Sequence, residues 1–209
     1  MDNSLTLYTN PMSRGRIARW MLEEIGEPYE CVYLDYGTTM KAPDYLALNP
    51  MGKVPTLTHG ERVVTEGAAV CAYLADAFPA AGLAPPIDDR ADYYRWLFFA
   101  ASSFEYAVLE RALGTEPPED KRATAGYSDL ETVLDMMESA CERHPFIAGE
   151  RFSAADVYVG MQIGWGLQFG TIEKRAAFER YWARVSDRDA FRRANEIDDR
   201  ALREASPPG

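Results

Sequence analysis

The chain has 209 residues, 47% of them apolar, enough for one large domain or two small ones. Its net charge of −11 argues against nucleic acid and anionic membranes as partners, and no apolar run approaches the ~18 residues of a membrane span. The start, MDNSLTLYTN, lacks the basic and apolar regions of a signal peptide, so a cytoplasmic location is expected.

Cys31, Cys71 and Cys141 lie far apart and are odd in number. A disulfide framework or a cysteine-based zinc site is therefore not expected. There are two histidines. His59 falls in THGER, which reads as a hairpin turn, and His144 in ERHPF, which reads as a helix end. No metal is expected.

LTLYT (5–9) is a short β run. Residues 14–25 carry Ile17, Ala18, Met21, Leu22 and Ile25, an amphipathic helical stripe that Gly26 and Pro28 end. ECVYLDY (30–36) alternates as a strand, and APDYLALNP (42–50) is a short helix between prolines. KVPTLT (53–58) and ERVVTE (61–66) form a hairpin turning at HG, and GAAVCAYLADAF (67–78) is a helix. The first 78 residues thus read βαβ–α–ββα. Residues 79–90, rich in proline, form the linker.

Everything beyond reads helical: an aromatic-rich helix over 91–113, another over 119–143, a buried helix within 146–170, and charged helices over 175–185 and 188–203. The fold class is α/β plus all-α, with domains 1–78 and 91–209.

Between the first strand and the first helix lies YTNPMSRGRIARW (8–20). Ser13 stands at the helix head, where serine is a favoured N-cap. Whether its hydroxyl also does chemistry is not answered locally.

Three motifs further on bear on the question. NPMGKVPTL (49–57) starts a strand with Val-Pro, although proline removes a ladder donor. TEGAAV (65–70) opens a helix with an acid, and FSAADVYVG (152–160) carries an [ST]xx[DE] capping box at Ser153 and Asp156.

On these motifs, over essentially its whole length, the chain resembles the cytosolic glutathione S-transferase family, with a bacterial-type, serine-like N-terminal motif. The resemblance implies a thioredoxin-like N-terminal domain followed by a helical-bundle domain, with a cis Val54–Pro55 bond. It implies that the Val54 backbone pairs with the cysteinyl part of glutathione, with Pro55 shaping the turn and Lys53 near the glycyl carboxylate. It implies that Glu66 meets the γ-glutamyl ammonium. The family's next residue is usually Ser; here it is Gly67, which leaves only a helix-head N–H for the carboxylate.

The family places its thiolate donor at the turn holding Ser13, with Asn10 and Tyr8 as alternatives. Arg14 and Arg16 are divided between solvent and the domain interface, with a thiolate-stabilising Arg16, at a position where serine-type members often carry an arginine, the lesser reading. Glutathione is implied as co-substrate, and a small apolar electrophile as second substrate. The electrophile would meet Trp96, Phe99, Ser103 and Tyr106 on the first helix of the all-α domain, with Met12 and Met40 from loops. A stripe of this kind also suits plain core packing. A homodimer is implied as well. The alternatives are a glutathione-dependent isomerase or dehalogenase using the same site, and a non-catalytic interaction protein of this fold.

Overall fold

The computed structural model describes residues 3–205; residues 1–2 and 206–209 of the expected domains lie outside the described residues. It divides into two compact units, one of residues 3–83 with 187–205 and one of residues 84–186.

The first unit runs β1 (Leu5–Thr9), α1 (Gly15–Ile25), β2 (Tyr29–Tyr33), α2 (Pro43–Leu48), β3 (Thr56–His59), β4 (Arg62–Thr65) and α3 (Gly67–Ala77). The sheet order is β2-β1-β3-β4, with β1 parallel to β2 and antiparallel to β3, and β4 antiparallel to β3. This is the expected thioredoxin-like arrangement. Strand ends differ from the sequence reading. β2 stops at Tyr33, and β3 starts at Thr56, after the Val54–Pro55 peptide, which is cis. The hairpin turns at Gly60 and Glu61, because His59 stays in the strand opposite Arg62 and shares a 2.8 Å hydrogen bond with the Tyr73 hydroxyl.

The apolar stripe of α1 is buried as expected, at Ile17, Ala18, Met21 and Leu22. Arg19 and Trp20 are buried too, on a face the periodicity does not mark. That face is covered by α9 (Asp189–Ala205). Trp20 meets Phe191 edge to face at 4.8 Å. Three ion pairs join the helices, Arg16–Asp199 (2.6 Å), Arg19–Asp198 (2.8 Å) and Glu23–Arg193 (3.1 Å), and Arg188, just before α9, pairs with Glu24 (2.6 Å). The exposed pairs are worth ~0–1 kcal/mol each. Arg19–Asp198 is different, with both side chains 1% exposed. Removing one partner there strands a buried charge, at a cost of ~3–5 kcal/mol. The last helix therefore belongs with the sheet, whereas the sequence reading assigns everything from 91 to 209 to one helical domain.

The second unit holds α4 (Ala91–Phe99), α5 (Glu105–Leu113), α6 (Leu130–Arg143), α7 (Ala154–Phe169) and α8 (Ala176–Ser186). Between α4 and α5 the helix widens into a π turn, Ala100–Phe104. There the Ser102 hydroxyl donates to the Phe98 carbonyl at 2.6 Å, a back-bond that competes with the ladder and bends helices. Residues 119–143 are not one helix. A 3-10 turn spans Glu119–Thr124, and α6 starts at Leu130, where Asp129 caps it by accepting the Thr132 N–H at 2.8 Å.

The expected capping box at the head of α7 is present. Asp156 accepts from Ser153 N (2.9 Å) and Ser153 Oγ (3.0 Å). It accepts also from Ile147 N (2.7 Å) and the Tyr181 hydroxyl (2.9 Å), tying a loop and α8 to the same carboxylate. Among the described residues no helix is long and apolar enough to cross a membrane.

Candidate functional site

The strand register of the first unit gathers three of the motifs at one end of the sheet. Tyr8 lies opposite Thr56, so the chain leaving β1 toward Asn10 passes the chain entering β3 from Pro55. Thr56 lies opposite Thr65, so Glu66, leaving β4, emerges beside Pro55 as well. Each motif arrives on a different segment, and the pairing alone brings them to the same edge.

The turn of residues 10–13 is pinned at nearly every peptide group. The Asn10 amide donates to the Leu34 carbonyl (2.8 Å), while its Oδ1 accepts the Met12 N–H (2.9 Å). The Ser13 hydroxyl donates to the Asn10 carbonyl (2.6 Å) and accepts the Gly15 N–H (2.9 Å). Ser13 therefore satisfies one of the orphan amides at the head of α1. It does so from just before the N-cap, which is Arg14. Gly15 is required by close approach: a Cβ there would lie 1.8 Å from Thr9 Oγ1 and 2.9 Å from Ser13 Oγ. Tyr8 packs beside Tyr45, ring centroids 5.8 Å apart, in the small core formed by Leu34, Met40 and Tyr45.

The loop before β3 is held with equal thoroughness. Asn49 donates to the Lys53 carbonyl (2.9 Å) and to Thr56 Oγ1 (3.1 Å), and accepts the Met51 N–H (3.1 Å). Tyr45 donates to the Lys53 carbonyl too. Lys41 Nζ donates to the carbonyls of Met51 (3.1 Å) and Gly52 (2.9 Å). Gly52 has φ +56°, and a Cβ there would meet the Met40 carbonyl at 2.7 Å, so no other residue fits. Val54 packs onto the Leu34–Met40–Tyr45 core, Pro55 is buried, and the Lys53 side chain is exposed.

Glu66 is exposed and holds φ +67°, ψ +120°, a conformation costly for a residue with a Cβ. It is the N-cap of α3, and its side chain makes no capping bond. Gly67 is the first residue of that helix, so its N–H is one of the amides no helical carbonyl can reach.

The expected electrophile contacts divide. Met12 is 75% exposed on the turn of residues 10–13, and its carbonyl accepts from the hydroxyl of exposed Tyr36 at 3.3 Å. Met40 is buried at 1% in the core below and offers no open wall, which corrects its reading as a loop contact. In the second unit Trp96 is 6% exposed and edge-on to Phe99 at 5.6 Å, so it acts as core packing. Phe99 is half-buried, Ser103 sits in the π turn and donates to the Gly126 carbonyl at 3.2 Å, and Tyr106 is exposed.

Sequence reasoning missed Lys41, Tyr45 and Asn49, whose polar ends hold the loop carbonyls. Asn49 stands at the head of NPMGKVPTL and could have been found there as a turn residue. Arg16, expected in solvent or at the domain interface, faces α9 within the first unit: its Nη2 reaches Asp199 at 2.6 Å.

Residues 3–76 match the family described as glutathione S-transferase, N-terminal domain. Over 205 residues the chain is 29% identical to glutathione S-transferase 3 of Zea mays, an alignment covering 90% of this chain and 92% of that one. A glutathione-S-transferase structure from Xylella fastidiosa resembles it with a TM-score of 0.78 at 25% identity, covering 93% of this chain and 98% of that chain. A sphingomonad glutathione S-transferase complexed with glutathione does so with a TM-score of 0.74 at 28% identity, over the same shares. Residues 3–76 thus carry the family's N-terminal domain, and the similarity to glutathione S-transferases runs on through the helical unit.

Proposed function

We propose that the protein is a glutathione transferase that holds glutathione at the sheet end of its first unit and adds the thiolate to a small apolar electrophile. The observation that carries this reading is the convergence, by strand register, of the turn bearing Ser13, the cis Val54–Pro55 bond and the head of α3 at Glu66. In the reading, the Val54 backbone pairs with the cysteinyl residue. Lys53 meets the glycyl carboxylate. Glu66 takes the ammonium, and the Gly67 N–H takes the γ-glutamyl carboxylate.

The chemistry asks for a thiolate. A free thiol titrates near 8.5, so about 2 units of lowering requires roughly 2.7 kcal/mol. A hydrogen bond to a charged group supplies ~1.5–3 kcal/mol and a helix head ~0.3–1 kcal/mol. Ser13 is the donor, with the second Asn10 amide hydrogen the next candidate. No general base is needed, which suits a turn with no histidine. Exposed Met12 supplies soft, polarisable surface for an apolar second substrate.

Calorimetry tests the binding half. Glutathione should bind with measurable heat, and Glu66→Ala should weaken it about tenfold or more, as loss of a charge-assisted contact does. No heat at millimolar glutathione would favour the interaction-protein reading. A cytoplasmic homodimer goes with the proposal; sedimentation checks the assembly, with twice the mass of the 23.4 kDa chain expected.

A further inference from the structure

The turn that holds Ser13 is not fixed by its own residues alone. The peptide joining Pro11 to Met12 is gripped at both ends by side chains. Asn10 Oδ1 takes its N–H, and Arg16 Nε donates to its carbonyl oxygen at 2.6 Å. The remaining guanidinium donors of Arg16 go to α9: Nη1 to Asn195 Oδ1 at 3.1 Å and Nη2 to Asp199 Oδ1 at 2.6 Å. Asn195 is itself oriented, since its amide donates to the Phe191 carbonyl at 3.1 Å and leaves Oδ1 facing the guanidinium. The Arg16 side chain is only 17% exposed, although Asp199 is half exposed. Beside Asp199 on α9, Asp198 is engaged by Arg19, so the second carboxylate does not compete for Arg16.

We propose that Arg16 is a positioning residue for the thiol turn, held in place by Asp199 and Asn195, so that the last helix of the chain sets the aim of Ser13. The inference rests on the reading that this turn receives the glutathione sulfur. The physical reason is the planar fork. Three N–H directions of one rigid group meet three acceptors on two segments, and fixing two of them on α9 fixes the third at Pro11. Lysine keeps the charge but cannot span those acceptors. A residue that served only as a nearby positive charge would tolerate that replacement.

The test uses the full chain and glutathione itself. For wild type, Arg16→Lys, Asp199→Ala and Asp199→Glu, the dissociation constant for glutathione is measured by calorimetry. The midpoint of thiolate absorbance against pH is measured in the complex. Arg16→Lys and Asp199→Ala should raise the midpoint by roughly half to one pH unit, the size of one weakened hydrogen bond to a charged group. The dissociation constant should stay within about threefold, because Lys53, Val54 and Glu66 do not depend on the turn. Asp199→Glu should restore most of the wild-type midpoint.

A lowered wild-type midpoint that neither Arg16→Lys nor Asp199→Ala moves would overturn the proposal alone. A wild-type midpoint no lower than that of free glutathione would overturn the thiol-turn reading and the proposal with it. Because Asp199 is half exposed, its variants keep the fold even if Arg16→Lys does not.

Discussion

The Ser13 hydroxyl donates its hydrogen to the Asn10 carbonyl at 2.6 Å. To serve a thiolate, that hydrogen has to swing from a neutral carbonyl to the sulfur. The exchange gives up ~0.5–1.5 kcal/mol and gains ~1.5–3 kcal/mol, so the net effect is about one pH unit. The rest of any larger shift has to come from the N–H groups at the head of α1. Such a swing would leave the acceptor side of Ser13 free to keep the Gly15 N–H, now at 2.9 Å. Cap and catalyst are compatible because they use opposite sides of the same oxygen.

Glu66 carries backbone strain where the proposed ligand contact lies. Its φ of +67° suits glycine. Glu66→Gly should therefore stabilise the protein by roughly 1 kcal/mol, the relief of strain less the entropy glycine adds to the unfolded chain. Glutathione affinity should fall as it does in Glu66→Ala. Urea midpoints and calorimetry on both variants check the pair of outcomes. If Glu66→Gly were less stable than Glu66→Ala, the strain argument would be wrong.

Gly15 has no room for a methyl group. The Thr9 hydroxyl, buried and without a hydrogen-bond partner, stands 1.8 Å from where its Cβ would be. Gly15→Ala should cost ~1–3 kcal/mol by overpacking, despite alanine's better helix propensity. Adding Thr9→Ala removes the oxygen in the way and should recover much of that loss. A strictly additive double variant in urea unfolding would count against the contact.

Asp156 gives the second unit a pH dependence. Burial pushes its carboxyl up to about 6, outweighing the Ile147, Tyr181 and Ser153 donors. The native state then holds a proton that the unfolded chain, titrating near 3.8, releases. Stability from this group is fully present below about pH 4 and is lost as pH rises through about 6, a change of roughly 3 kcal/mol. Asp156→Asn should flatten that part of the profile while lowering stability overall, since an amide cannot accept from all four donors. Unfolding midpoints between pH 4 and 7 measure both effects. A wild-type profile that rises across this interval would refute the sign.

The sheet unit was legible in the sequence because its signals are local. The β1 boundaries and the α1 stripe each depend on a few neighbouring residues. The α7 capping box was legible for the same reason. Helix α9 was not. Arg16 and Asp199 are 183 residues apart, and in sequence each looks like an ordinary solvated charge. Nor did periodicity show that Arg19, between two apolar α1 residues, would be buried against Asp198. The helix expected from 119 fails for a local reason that was readable. Asp129 followed by Thr132 is a cap signal, and it marks the true start of α6. Lys41 and Tyr45 were hidden because they act on backbone carbonyls, which leave no sequence pattern of their own.

One titration decides whether Ser13 is the thiolate donor: thiolate absorbance of bound glutathione against pH in wild type, Ser13→Ala and Asn10→Ala. The wild-type midpoint should lie below the ~8.5 of a free thiol, and Ser13→Ala should raise it by about one unit, with Asn10→Ala moving it less. An unchanged midpoint in Ser13→Ala would contradict the assignment of Ser13 as the thiolate donor.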